Sequence, residues 1–159
     1  MEGIEFQCDH CNVMFVAPLF CINQTRERLV KSVSGGLPCL DIDAAEAVVN
    51  FCSAACRQAE LEEVMAAYGV PIPDVRPDIG PDEVCAVCSG PADVTIEHMA
   101  FSVEEIDLTK DEPTPVNFAY LALVCAECAT KVNFGRLHTN ASLGQRKVAV
   151  GFLDSGGRA

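Results

Sequence analysis

Four pairs of cysteines constrain the fold of this 159-residue chain more than any other feature of its sequence. In each half, a Cys-x2-Cys pair precedes a second pair much further along the chain. A tetrahedral metal ion with four sulfur ligands requires two such pairs that approach from different segments. The spacing therefore predicts two metal sites. Their candidate ligands are Cys8, Cys11, Cys52 and Cys56 in the first site, and Cys85, Cys88, Cys125 and Cys128 in the second.

Zinc is the metal that this spacing predicts. Disulfides, a redox-active Cys-x-x-Cys motif and an iron–sulfur cluster are the alternatives. The acidic start of the chain lacks the features of an export signal, and no apolar run approaches the ~18 residues that span a bilayer. We therefore expect a cytoplasmic protein with no membrane partner and with reduced cysteines. Because four thiolates leave no coordination position for water, we expect two structural Zn²⁺ ions and no catalytic metal.

Three further residues near this pattern are expected to be bystanders. Cys21 and Cys39 have no partner at ligand spacing and sit beside apolar residues, which favours small buried hydrophobic side chains over a redox role. His10, between the first two ligands, is expected to face solvent, and it becomes a substitute ligand only if Cys11 is not used.

The cysteine pattern repeats on the two sides of a proline-rich segment. Both members of the first pair recur at one constant offset, and the members of the second pair recur at nearly the same offset. Between the two copies, four prolines in residues 69–82 oppose a continuous helix. We predict two tandem modules, 1–70 and 84–153, with a linker at 71–83 and a mobile tail at 154–159.

Local patterns predict a small α+β fold. Strand-like runs occur at 13–16, 47–51, 94–96 and 118–124, and a final strand is predicted at 145–153. Ser53 is a candidate N-cap for a helix that ends near Tyr68 before Gly69, and a second helix is expected from Cys125 to about Asn133. Cys56 would then lie in the first helical turn, where the helix dipole stabilises a thiolate.

The charge of the chain bears on its partners. The formal net charge is -12 and only the segment after residue 132 is basic, which disfavours nucleic acid because phosphate binding depends on lysine and arginine. A protein partner with a basic surface fits this charge better. Arg136, Arg146 and Lys147 could form a small basic edge, which is weak support for nucleic-acid binding. The acidic run at 104–112 is expected to be a solvated loop, with a binding patch for a basic partner as the alternative.

Residues 50–57, with the sequence Asn-Phe-Cys-Ser-Ala-Ala-Cys-Arg, resemble the Phe-Cys-Ser-x-x-Cys signature of the FCS, MYM and TRASH treble-clef zinc fingers. The resemblance covers Cys8 to about Tyr68, although the interval between Cys11 and Cys52 is longer than usual in these families. It implies a zinc-finger fold and a role in protein interaction or metal handling, often in transcription.

The second half resembles the treble clef of HNH endonucleases. Glu97-His98 stands where that family has its general base, Asn117 where it has an orienting asparagine, and Cys125/Cys128 where a cysteine pair opens the last helix. The family normally has histidine or asparagine after the final cysteine, whereas this chain has Ala129. The resemblance implies a treble clef, and either a nuclease or an inactive descendant that binds nucleic acid.

Together these patterns predict tandem treble-clef or zinc-ribbon modules without catalytic residues. The expected function is that of a zinc-binding interaction module with a protein partner. An HNH-like nuclease and a metal-sensing or redox protein are the competing classes.

Overall fold

A four-stranded antiparallel sheet forms the centre of the protein in a computed structural model, which describes residues 5–16, 18–31, 36–78, 82–109 and 111–137. A separate pair of short strands lies near the N-terminus. The elements in chain order are β1 (Phe6–Gln7), β2 (Met14–Phe15), β3 (Leu19–Val30), β4 (Cys39–Phe51), α1 (Ala54–Ala67), β5 (His98–Asp107), β6 (Thr114–Val124) and α2 (Ala126–Ala129). The described residues thus form a small mixed α and β structure with two sheets and two helices.

The large sheet joins the two halves of the chain. Its strand order is β4-β3-β5-β6, so each half contributes one hairpin and the two hairpins meet at the central pair β3 and β5. This pair is antiparallel without a register shift from Leu19 opposite Ile106 to Glu27 opposite His98. Each hairpin pairing, by contrast, contains two register shifts, which bend the outer strands.

Alternation along β3 separates the two faces of the sheet. Ile22 lies in the main hydrophobic core with residues of α1, whereas Asn23 points to the other face. The main core combines both halves of the chain, because Phe51 and Leu61 come from the first half and Phe101 from the second. The helix α1 therefore covers a face to which both hairpins contribute.

A shared core bears directly on the predicted module boundaries. The stretches 1–70 and 84–153 remain a prediction from the sequence repeat, but their described residues share one large sheet and one main core. The same order of elements does recur in each half: a Cys-x2-Cys turn, a hairpin, a second cysteine pair and a helix. The predicted strand at 145–153 and the predicted tail at 154–159 lie outside the described residues.

The two helices match their predictions to different degrees. The helix predicted from Ser53 is confirmed, because the Ser53 hydroxyl accepts a hydrogen bond from the Cys56 N–H at 3.1 Å and Gly69 follows the helix with φ +74°. The second helix is shorter than expected, since it ends at Ala129 and a turn follows it.

Two predictions in the second half require correction. The strand predicted at 94–96 is wrong, since these residues form a turn and β5 begins at His98. The acidic run is not one loop, because Glu104, Glu105 and Asp107 belong to β5 and only the later residues connect it to β6. No helix in the described part of the chain is long and apolar enough to cross a membrane.

Candidate metal centres

Two tight turns present the first cysteine pair of each cluster. In both turns the carbonyl of the first cysteine accepts a hydrogen bond from the residue after the second: Asn12 N–H to Cys8 at 3.0 Å, and Ser89 N–H to Cys85 at 2.9 Å. Asn12 and Ser89 both have left-handed backbone conformations, with φ of 65° and 63°. The two turns thus share one geometry, which presents both sulfurs of a pair to a single point as a metal knuckle requires.

The second pair of each cluster lies where a strand ends and a helix begins. Cys52 follows β4 and Cys56 lies in the first turn of α1, while Cys125 follows β6 and Cys128 lies in α2. Cys125 is both a candidate ligand and the N-cap of α2. Its sulfur accepts a hydrogen bond from the Cys128 N–H at 3.5 Å. Each hairpin brings the second pair of its half back to the first pair.

The sulfur positions fit a tetrahedral site. In each cluster the four Sγ atoms all lie within 4.8 Å of one another. Three of these separations are 3.7 Å for Cys11 and Cys52, 3.8 Å for Cys52 and Cys56, and 3.9 Å for Cys88 and Cys125. A regular tetrahedron with metal–sulfur bonds of about 2.3 Å has edges of about 3.8 Å. All eight predicted ligands are therefore brought together, four by four, in arrangements that could hold two metal ions.

Electrostatics within the clusters favours a cation. Burial raises the pKa of Cys8, but backbone N–H groups that donate to its sulfur outweigh burial and lower the pKa to about 7. Cys85 has a pKa of about 7 for the same reasons. Burial and the neighbouring thiols instead raise the pKa of Cys52 to about 12. Thiolates at this spacing repel one another, so a divalent cation would stabilise all four in the ionised form.

The remaining cysteines lie apart from both clusters. All ten cysteines of the chain are described and all are free thiols, so the disulfide alternative finds no support. Cys21 is buried in the sheet, as expected, and burial raises its pKa strongly. Cys39 is exposed at the start of β4, so the expectation that it is buried is wrong. His10 is partly exposed, and its Nδ1 lies 2.7 Å from Glu60 Oε1.

The residues of the nuclease resemblance are not brought together. His98 opens β5 with its side chain buried, and Asn117 lies opposite Glu105, seven residues further along that strand and thus roughly 20 Å away. The Asn117 amide donates to Glu105 Oε1 at 2.8 Å. A buried imidazole this far from the asparagine does not form a site that a phosphodiester could enter.

Glu27 is the centre of a buried polar cluster, within the described residues, that the sequence patterns did not indicate. The carboxylate of Glu27 on β3 accepts hydrogen bonds from the Thr25 hydroxyl at 2.6 Å and the Tyr120 hydroxyl at 2.8 Å. His98 Nε2 lies 3.6 Å from the same carboxylate. The residues of this cluster come from β3, β5 and β6, which are distant in sequence. The only local signal is that Thr25 and Glu27 are two residues apart on β3 and therefore point to the same side.

Comparisons of the chain with models of protein families, with curated proteins and with solved structures found no match. The two cysteine clusters are therefore the feature that carries a functional assignment.

Proposed function

We propose that the protein is a non-catalytic interaction module whose fold depends on two structural Zn²⁺ ions and whose partner is a protein with a basic surface. The observation that carries the metal assignment is the pair of four-sulfur clusters with tetrahedral spacing. Four sulfur donors at the corners of a tetrahedron suit Zn²⁺, because its filled d shell imposes no other coordination geometry. Each ion would cross-link a turn to a strand–helix junction.

We also propose that each half is a treble-clef type of zinc finger. A cysteine knuckle, a hairpin and a helix that carries the last ligand occur in that order in both halves, and this order supports the proposal. The first half would then be of the FCS, MYM and TRASH type. In this arrangement zinc supplies folding free energy, since its ligands come from distant parts of the chain.

The charge of the protein supports the class of partner. A net charge of -12 repels nucleic acid and attracts basic protein surfaces, with association that slows as the salt concentration rises. The thiolate ligand sets support a reducing location such as the cytoplasm, because an oxidising compartment favours disulfides. A basic protein is thus the partner class that the composition favours.

Elemental analysis of the purified full-length chain tests the metal assignment. We expect two zinc atoms per chain, and the absorption of a tetrahedral thiolate complex after exchange with Co²⁺. Cys56→Ser should lower the zinc content, whereas Cys39→Ser, at an exposed cysteine outside the clusters, should leave it at two. Iron in place of zinc, or disulfides among the eight ligands, would contradict the proposal.

The absence of catalysis is a separate part of the proposal with its own test. The full-length protein is incubated with plasmid DNA and Mg²⁺, Mn²⁺ or Ni²⁺, and we expect no cleavage. Because His98 stands at the position of the general base in the resemblance, cleavage that disappears in His98→Ala would replace the interaction module with an HNH-like nuclease.

A further inference from the structure

The sheet face opposite α1 forms an open trough with a volume of about 540 Å³. The β3 residues that line it, such as Asn23 and Thr25, alternate with residues such as Ile22 that pack in the core on the other face. The rest of the lining comes from the other three strands of the sheet and from the β5–β6 connection. Both halves of the chain therefore build this surface.

The rim of the trough is apolar and open to solvent. Phe118 on β6 is 53% exposed, and Ile42 and Leu40 on β4 are 50% and 36% exposed. These side chains belong to the two outer strands of the sheet, so they border the trough on opposite sides. Exposed apolar groups that face one another across a cavity are typical of surfaces that bind another molecule.

The trough is also acidic. Three glutamates of its lining are on this side of the sheet: Glu27, Glu104 and Glu112. Glu46 lies opposite Gln24 and belongs to the other face, and the described lining contains neither lysine nor arginine. The Glu27 carboxylate is already held by two hydroxyl groups. Glu104 is different: its side chain accepts a hydrogen bond from the Asn23 amide, and no lysine or arginine of the described ranges forms an ion pair with it. Burial raises the pKa of Glu104, as expected for a carboxylate without a cation beside it.

We propose that this trough binds an extended basic segment of a protein partner, with apolar side chains against Phe118 and Ile42 and a lysine or arginine side chain at Glu104. This inference rests on the proposed function, and it assigns the surface through which the protein binds its basic partner. In an extended segment every second side chain points to the same side, so a basic residue and an apolar residue two positions apart would both face the trough and reach Glu104 and the rim.

Charge complementarity selects this occupant over the others. Phosphates of a nucleic acid would face Glu104 and Glu112, and the described lining residues include no lysine or arginine to screen them. An uncharged or acidic segment would cover Glu104 and leave its carboxylate buried without a counter-charge, which is costly. A cationic segment supplies that charge and covers the apolar rim.

The test uses the full-length, zinc-loaded protein labelled with ¹⁵N, and as the probe a synthetic peptide that repeats Lys-Lys-Val-Val, so that each side of the extended peptide carries both lysine and valine. We expect saturable shifts at Ser102 and Tyr120 in the trough. Affinity should fall about tenfold in Glu104→Gln, which removes the charge, and also in Phe118→Ser, which removes the apolar contact. Glu62→Gln, at an exposed glutamate of α1, is the matched control and should bind normally.

Each contrary outcome has a definite meaning. Shifts confined to α1, or equal loss of affinity in Glu62→Gln, would overturn the trough as the site while leaving a basic partner in place. No binding of the lysine–valine peptide by protein that carries two zinc ions would overturn the basic partner as well.

Other occupants of the trough are also distinguishable. Equal binding of a glutamate–valine peptide would overturn the role of charge. Nuclear Overhauser contacts between the trough and residues 138–159, or a dimer in sedimentation that covers the trough, would assign it to the chain itself and overturn the partner.

Discussion

Among single residues, the most informative are polar side chains buried between the two halves of the chain. Glu27 and His98 lie opposite each other on the central strands, and both are almost fully buried. Gln24, on the other face of β3, is fully buried as well. Buried polar groups require specific partners, so each of these side chains helps to fix the alignment of one half on the other.

The Glu27–His98 pair should make stability depend on pH. Burial opposes ionisation of Glu27, but hydrogen bonds to its carboxylate outweigh burial and lower its pKa below 4.5. Burial likewise opposes the charged form of His98, but Glu27 and the Ile96 carbonyl raise its pKa above 6.5. The contribution of Glu27 is present above pH 4.5 and is lost as the pH falls through its lowered pKa. The contribution of His98 is full below pH 6.5 and is lost as the pH rises through its raised pKa.

The pair therefore contributes most between these two values, and Glu27→Gln should destabilise the zinc-loaded protein more at pH 6 than at pH 9. Urea unfolding of wild type and variant at fixed zinc concentration measures this difference. An equal loss of stability at both pH values would show that His98 stays neutral throughout and that the Glu27 carboxylate acts only through its two hydroxyl partners.

Gln24 supports a second prediction. Its side chain donates to the Asn133 carbonyl and accepts from the Gly135 N–H, both at 2.7 Å, and so holds the segment after α2 against β3. Gln24→Met removes both bonds and leaves two backbone groups without these partners, which should lower the free energy of unfolding by about 2–3 kcal/mol. Gln58→Met, at an exposed position of α1, is the control and should change it by less than about 0.5 kcal/mol. Equal effects in urea unfolding would contradict this role.

At the scale of secondary-structure elements, the two central strands carry the connection between the halves. Phe101 of β5 is fully buried, and its ring lies 5.3 Å from that of Tyr68, just after α1. This contact joins a residue of the second hairpin to the helix of the first half. The packing of α1 therefore depends on β5 as well as on its own hairpin.

Phe101→Ala should consequently destabilise both halves together. Loss of a buried phenylalanine costs about 3–5 kcal/mol, because a cavity adds to the lost burial. Phe118→Ala, at a half-exposed ring on β6, should cost about 1 kcal/mol. Thermal unfolding gives both values, and amide exchange shows where protection is lost. Loss of protection confined to residues 98–124 would mean that the first half is stable without this contact.

The elements that sequence could predict are those with local signals. Ser53 and Gly69 mark the ends of α1, and the ligand spacing identifies both cysteine clusters. By contrast, β3 contains buried Gln24 and Glu27, which break the expected alternation of apolar and polar residues. The pairing of β3 with β5 joins residues from the two halves of the chain, and no local pattern reports such a contact.

For the whole molecule, a shared sheet and core imply that the two halves unfold as one unit. The sequence repeat alone suggested separate modules, in which loss of one metal site would leave the other half folded. Both clusters instead lie at the ends of hairpins that pair with each other through β3 and β5.

Cys56→Ser should therefore weaken both halves, although it removes a ligand from only one cluster. We expect the amide resonances of Ile22 and Leu121, which lie in different halves of the shared core, to disappear at the same urea concentration, lower than in wild type. Cys128→Ser should act in the same way from the other cluster. Native resonances of residues 98–124 that persist after those of residues 19–51 are lost would show two independent units.

The central strand pair also has a consequence for assembly. β3 and β5 are joined through β4, α1 and residues 68–97, and their pairing does not require that both belong to the same chain. If residues 71–78 extend away from the sheet, the first hairpin of one molecule can pair with the second hairpin of another and form the same hydrogen bonds twice. Such exchange needs high protein concentration during refolding, and it yields a domain-swapped dimer in which every metal cluster still takes its four ligands from one chain.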